Sequence, residues 1–396
     1  MKNKLSIIGN GTAGTLAALH FNKYLPEYDI EVFYSSSIPA TSVGEGSQLD
    51  FTYSLFNTIN FQYKDYPLID ATHKDGISYE GWGDKGDYFH HFPLPHTGAH
   101  FNASKFQSVM KEKLQDKVSY IDQTINSYDE IDSDYIVDCR GTPKELNEEY
   151  YKLDSMAVNT AYVVQCYWDY PQFTHTKAIA RPYGWMFAVP LANRLSLGYI
   201  FNRDINTLED IKKDIDNPAK ELGVELSDTT NYLEFNNYFH KQPFNERILL
   251  NGNKNYFLEP LEATSLSTAI LVNQLATDKM ANNMNDIDCN KIFNKHMLET
   301  ELVIMLHYAN GSKYDTPFWN NAKQKAWEIF ERAPRRFKYI VSKLDTDWRN
   351  NKFLLEDALH VYGPNWYMAN FEENIKGLGI LNQLKELYKD SGFFEN

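Results

Sequence analysis

Apolar and polar positions alternate between two periods along this chain, and the change of period marks its elements. The mostly apolar run Leu5–Ile8 stops at Gly9-Asn10-Gly11-Thr12-Ala13-Gly14, an Ala/Leu-rich stretch follows from Thr15 to Tyr24, and a second apolar run covers Ile30–Tyr34. This order predicts strand, glycine turn, helix and strand, the opening βαβ unit of a dinucleotide-binding fold. From Phe61 to Phe101 the pattern turns aromatic and is broken by Gly and Pro, which predicts long loops and short strands. Helical spacing returns over Phe106–Leu114, and Tyr135–Asp138 predicts a short buried strand. Tyr162–Trp168, Trp185–Pro190 and Leu195–Phe201 predict a second sheet, and Ile248–Leu250 a further strand before the Asn251-Gly252-Asn253 turn. From Leu266 onward the chain predicts helices, including Val303–Tyr308, Ala322–Leu344 and Phe371–Tyr388.

Composition narrows what such a chain does. With 39 Lys+Arg against 53 Asp+Glu the net charge is −14, which argues against nucleic acid, since duplex binding depends on basic residues neutralising phosphates. No window approaches 18 uninterrupted apolar residues, so no membrane span is expected. The first apolar run is too short for a secretion signal. Cys139, Cys166 and Cys289 are scattered, odd in number and without a CxxC pair, which suits a reducing compartment. The expectation is a soluble, cytoplasmic protein.

The glycine turn carries the first chemistry. Gly9 permits the tight turn, Gly11 lets the backbone approach a pyrophosphate, Gly14 allows close helix packing, and Thr12 and Ala13 start the helix that faces the phosphates. A ribose-binding Asp or Glu is expected about 20 residues further on, yet that strand ends Val32-Phe33-Tyr34-Ser35, so ribose recognition falls to Ser35, Ser36 or a residue elsewhere. The turn alone leaves NAD and FAD open. Val43-Gly44-Glu45 and the stretch Tyr135–Gly141, which resembles the second dinucleotide strand of monooxygenase-like flavoproteins, favour FAD.

Five segments in order extend the reading: the glycine turn, Val43-Gly44-Glu45, Gly184–Pro190, Phe257–Ser265, and Leu306-His307-Tyr308 leading to Asp315-Thr316-Pro317-Phe318-Trp319. On these the chain resembles the flavin-dependent tryptophan halogenases, from residue 5 to about 370. Its brevity and composition point toward the members carried by marine phages. The resemblance implies a mixed α/β fold: an FAD-binding Rossmann-like domain (1–60, 102–150 and 245–290), an inserted substrate-side sheet with loops (61–101 and 151–244), and a helical C-terminal region (291–396). It implies an enzyme that uses FADH2, O2 and a halide (chloride, bromide or iodide) to form hypohalous acid, supplied with reduced flavin by a separate reductase and acting on a small aromatic substrate. A homo-oligomer is compatible with this.

Residue by residue, Lys74 on its own chemistry is a solvated surface charge. The resemblance makes it the lysine that meets hypohalous acid, with Glu262 as the carboxylate beside it. Glu259 stays divided between helix-start chemistry and function. Gly252, Asn253 and Leu258 match the family's flavin segment, Thr264 and Ser265 its halide-binding helix start, and His100, Phe101, Trp185 and Phe187 its substrate pocket. Several positions depart from the family: Phe187 replaces a Trp, Ala263 a Ser, and Lys254 and Tyr256 stand where Ala and Gly are usual, which predicts crowding near the flavin or a looser FAD site. His90, His91, His96 and His100 lack a metal-binding spacing, so no metal is expected. The open alternatives are a flavin monooxygenase and a catalytically silent FAD-binding protein.

Overall fold

A computed structural model describes residues 2–38, 45–93, 96–344, 346, 348, 362–363 and 366–394. The chain divides into two compact units, the first comprising Met1–His73, Gly98–Leu153 and Asn236–Met297, and the second Lys74–Thr97, Asp154–Phe235 and Leu298–Asn396.

The first unit is built on a six-stranded sheet in the order Phe244–Asn245, Ile248–Leu250, Tyr135–Asp138, Asn3–Ile8, Tyr28–Tyr34, Ser119–Asp122. All neighbours pair parallel except the short hairpin at the first edge. Leu5, Ile7, Val32, Ile136 and Val137 are fully buried, which is why these strands show apolar runs rather than alternation. Thr12–Tyr24 is a helix buried from Gly14 through Phe21, and its small residues allow packing against the helix Thr264–Met280. His20 on the first of these meets Thr277 on the second, Nε2 to Oγ1 at 2.9 Å. The helix Ala103–Leu114 is started by Asn102, whose side chain accepts the Lys105 amide, and it buries Phe106, Met110 and Leu114 at a spacing of four.

The second unit holds a seven-stranded sheet in the order Thr230–Glu234, Thr160–Tyr167, Arg194–Phe201, Gly184–Leu191, Thr176–Arg181, Gly76–Trp82, Gly86–His91. Met186, Ala188, Leu195, Leu197 and Tyr199 join a core with Ile211 and Ile215 from the short helical stretch after the sheet. Period two then sends Trp185 and Phe187 to the opposite face. Gly76–Trp82 and Gly86–His91 form an antiparallel hairpin, with its register shifted between Glu80 and Trp82, where the sequence predicted loops with short strands. Its aromatic residues pack as strand residues do, and Gly83 and Gly86 turn the corner at φ +63° and +89°.

Sequence-level boundaries shift in places. The segment expected as one helix over 322–344 divides into Pro317–Glu331 and Arg335–Lys343, because Pro334 cannot continue the first helix. Residues 371–388 divide at Gly379, which ends Met368–Leu378 in the left-handed region at φ +75°. Residues 61–73, 98–101, 236–244 and 291–297 lie in the first unit, and the described residues from Leu298 onward belong with the seven-stranded sheet.

Candidate active site

In open parallel sheets ligands sit beyond the carboxyl ends of the strands, where the chain order reverses. In the first unit that point falls at Asn3–Ile8, which lies between strands Tyr28–Tyr34 and Tyr135–Asp138. Three turns leave this edge in a common hydrogen-bonded row: Gly9 N donates to Phe33 O at 2.7 Å, Cys139 N to Ile8 O at 2.8 Å, and Asn251 N to Asp138 O at 2.9 Å. The glycines divide their work. A Cβ on Gly14 would stand 1.9 Å from Gly9 O, and one on Gly252 2.7 Å from Ala13 Cβ, so both are needed for the backbone to close up. A Cβ on Gly11 would meet nothing within 4 Å, which leaves open space at the helix N-terminus.

These groups fit FAD. Asn10 Oδ1, an acceptor, is buried without a donor among the described residues, and the Gly11 opening would give a pyrophosphate access to the amides beginning Thr12–Tyr24. At the end of the neighbouring strand, Asp138 is fully buried and clamped by Arg140 through Nε at 2.9 Å and Nη2 at 2.7 Å. Tyr128 donates a further hydrogen bond to Asp138, and burial beside that carboxylate raises the phenol well above its ordinary range. The sequence singled out this stretch by resemblance but not this ion pair, because its third partner comes from the loop ten residues earlier.

Glu45 lies on a short strand opposite Phe101, and its Oε2 accepts the Ala103 amide at 3.2 Å, at the start of a helix. Val43 and Gly44 lie outside the described residues. His100 reaches Thr72 Oγ1 at 3.2 Å through Nδ1, and Phe101 spends its ring on packing, stacked on Phe51 at 4.5 Å with Phe106 beside it. Gly252 N donates to Asn251 Oδ1 at 2.7 Å, Tyr238 donates to the Asn253 carbonyl, and Leu258 is buried.

The carboxylate segment is held under backbone strain. Glu262 has φ +65° and Ala263 φ +52°, two consecutive left-handed residues without a glycine between them. Such conformations cost about 1–3 kcal/mol each and persist where the surroundings impose them. Here the Gln48 side chain donates to the Glu262 carbonyl and lies 3.4 Å from its Oε2. Both carboxylates of the segment are buried, Glu262 at 1% exposure and Glu259 at 0%, and the Glu259 amide donates to Asn237 Oδ1. The strain delivers the chain into Thr264–Met280, a helix with no side-chain cap and no acidic residue in its first turn, so the Thr264 and Ser265 amides open a positive helix end. Tyr256 ties this turn down by donating to the Ser265 carbonyl at 2.7 Å.

In the second unit Lys74 is only 1% exposed, against the surface position its residue type suggests, and its Nζ lies 5.3 Å from the Phe92 ring centroid. Asp75 fixes the backbone beside it, donating to Thr174 O and accepting from Phe92 N, both at 2.9 Å. Trp185 is buried, with its indole N–H lacking an acceptor among the described residues. Phe187 lies over Gly198 on the paired strand, where a Cβ would come within 2.1 Å of its ring. Sequence reasoning missed Trp82, which contacts Trp185, Tyr308 and Trp319 and donates its N–H to Ala178 O at 2.9 Å. Among the described residues no group of three His, Cys, Asp or Glu is placed to hold a metal, and no helix is long and apolar enough to cross a membrane.

The parallel sheet with its glycine-lined phosphate turn defines a dinucleotide-binding protein of the flavoprotein kind. A family model described as tryptophan halogenase matches residues 4–122 and 95–354, and the chain belongs to this family of FAD-dependent enzymes. It is 20% identical over 429 residues to the tryptophan 6-halogenase SttH of Streptomyces toxytricini, covering 82% of this chain and 81% of that one. It is 21% identical over 426 residues to the tryptophan 7-halogenase RebH of Lentzea aerocolonigenes, covering 81% and 79%. A solved tryptophan halogenase from Shewanella frigidimarina shares the fold at a TM-score of 0.77 and 18% identity, over 98% of this chain and 93% of that one. So does Xcc4156, a flavin-dependent halogenase from Xanthomonas campestris, at 0.77 and 17%, over 98% and 95%.

Proposed function

We propose that this chain halogenates a small, electron-rich aromatic substrate, with Lys74 holding the hypohalous acid and Glu262 accepting the proton lost from the ring. The observation that carries the reading is the burial of Lys74. An ammonium withdrawn from water loses several kcal/mol of hydration, so a buried lysine is held at a cost that a merely solubilising residue would not bear. When bound, FAD reduced by a separate reductase would supply the two electrons that, with two more from the halide, take O2 to hypohalous acid and water. Gly9, Gly11 and Gly14 with the amides of Thr12 and Ala13 hold the pyrophosphate. The uncapped amides of Thr264 and Ser265 suit a halide. Glu262 is kept in a fixed orientation by Gln48 and by its own backbone, as a proton acceptor requires. Trp185 offers a buried N–H and Phe187 a wall beside it. Chloride, bromide and iodide are all candidate halides, and the alternative product class is an oxygenated one.

The test is mass spectrometry of products after incubation with FAD, a flavin reductase, O2 and each halide in turn, over a panel of indoles, phenols and pyrroles. A halogenated product that disappears when halide is omitted is the expected result. A product that gains oxygen whether or not halide is present would instead make the chain a monooxygenase.

A further inference from the structure

The strand Tyr28–Tyr34 ends without the carboxylate that dinucleotide folds place there for a ribose hydroxyl. Tyr34 occupies that end, and Lys111 Nζ sits over its ring at 3.9 Å. Ser35 spends its hydroxyl on neighbours, lying 2.8 Å from Ser37 Oγ and accepting from Thr124 Oγ1 at 3.0 Å. Neither group matches a carboxylate, which accepts at two oxygens and cannot be mistaken for a donor.

The adjacent strand supplies one. Ser119–Asp122 runs parallel to Tyr28–Tyr34, and its register sets Asp122 opposite Tyr34 at the same carboxyl edge as the glycine turn. Asp122 is exposed, and its Oδ1 accepts the Ser36 amide at 3.0 Å, which holds the carboxylate beside the chain just past the end of that strand. That amide, then the Ser36 side chain and Lys111, keep the carboxyl below its usual range, so it is an acceptor at neutral pH. A carboxylate offers about four acceptor sites on its two oxygens, so the bonds from Ser36 leave acceptor capacity.

We infer that Asp122, reaching from the neighbouring strand, accepts a hydroxyl of the adenosine ribose of FAD in place of the acidic residue missing after Phe33. The inference rests on the FAD reading of the glycine turn. It assigns ribose recognition to a residue more than a hundred positions after that turn, through strand pairing rather than through the local motif.

The experiment titrates the whole chain by flavin fluorescence with FAD, with the FAD analogue carrying 2′-deoxyadenosine, and with FMN, for wild type and Asp122→Asn. Asparagine retains an oxygen for the Ser36 amide, so the turn is preserved. Wild type should bind FAD about 10-fold more tightly than the deoxy analogue, the scale of one charge-assisted hydrogen bond. Asp122→Asn should bind FAD about 10-fold more weakly, lose the discrimination, and leave FMN affinity and the melting temperature unchanged. A variant that still discriminates, or a wild type that never does, would overturn the inference while leaving the flavoprotein reading intact. A wild-type chain that binds neither FAD nor FMN would overturn both.

Discussion

All seven tryptophans lie in the second unit and none in the first. Around its glycine turn the first unit closes through small residues: a Cβ on Gly14 would strike the Gly9 carbonyl and one on Gly252 the Ala13 methyl, and strand ends are tied to neighbouring turns. The second is closed by large rings, with Trp82 meeting Tyr79, Trp185, Tyr308 and Trp319. Small residues let backbone turns approach closely, whereas buried rings hold by packing area, so the two regions lose stability through different changes. The same contrast gives an experimental convenience, since tryptophan fluorescence reports the second unit alone.

Four substitutions or conditions probe this difference. Trp82→Ala should cost about 3–5 kcal/mol in the unfolding monitored by tryptophan fluorescence, since its neighbours cannot collapse into the space of an indole. A loss below about 1 kcal/mol would show that the ring cluster is not what holds that unit. The next effect is in the first unit and is driven by acid. Burial lowers the His20 pKa from 6.5 to about 4, so between those values the unfolded chain takes up a proton that the folded one refuses. Stability therefore falls as pH drops through this window, by up to about 3 kcal/mol near pH 4, and His20→Gln should flatten that part of the denaturation profile.

Gly14→Ala should destabilise by about 1–3 kcal/mol and remove FAD binding, because the new methyl would strike the Gly9 carbonyl. Gly11→Ala is its counterpart and should have the smallest effect on folding, within about 0.5 kcal/mol, since the position has space and an extended backbone. It should still weaken FAD, because the space it fills is the space the pyrophosphate needs. Equal losses of stability at the two glycines, measured by denaturant unfolding of the flavin-free protein, would erase the distinction between closing the fold and receiving the cofactor.

What the sequence made legible is what local geometry determines. The Gly9, Gly11 and Gly14 turn, the strand Tyr135–Asp138 and the central strand around Trp185 show in spacing and burial runs, because each depends on residues a few positions apart. Lys74 was legible as a site candidate only through resemblance, since nothing adjacent to it announces that it will be buried with its Nζ near the Phe92 ring. Asp122 was not legible as a ribose residue, because its position depends on the Tyr34–Asp122 register between strands far apart in the chain. The left-handed pair Glu262-Ala263 was equally hidden, since neither residue type favours that backbone and only the folded surroundings impose it. The ring cluster around Trp82 was concealed by a stretch whose glycines and prolines suggested loops.

The most direct test of the central proposal is the product yield of Lys74→Ala beside wild type under identical flavin, reductase, O2 and bromide supply, with flavin reoxidation followed in the same samples. The account predicts that the variant reoxidises flavin at the wild-type rate while halogenated product falls at least about 100-fold, the scale of a positioned catalytic group. A variant that halogenates as well as wild type would contradict the role given to the buried lysine.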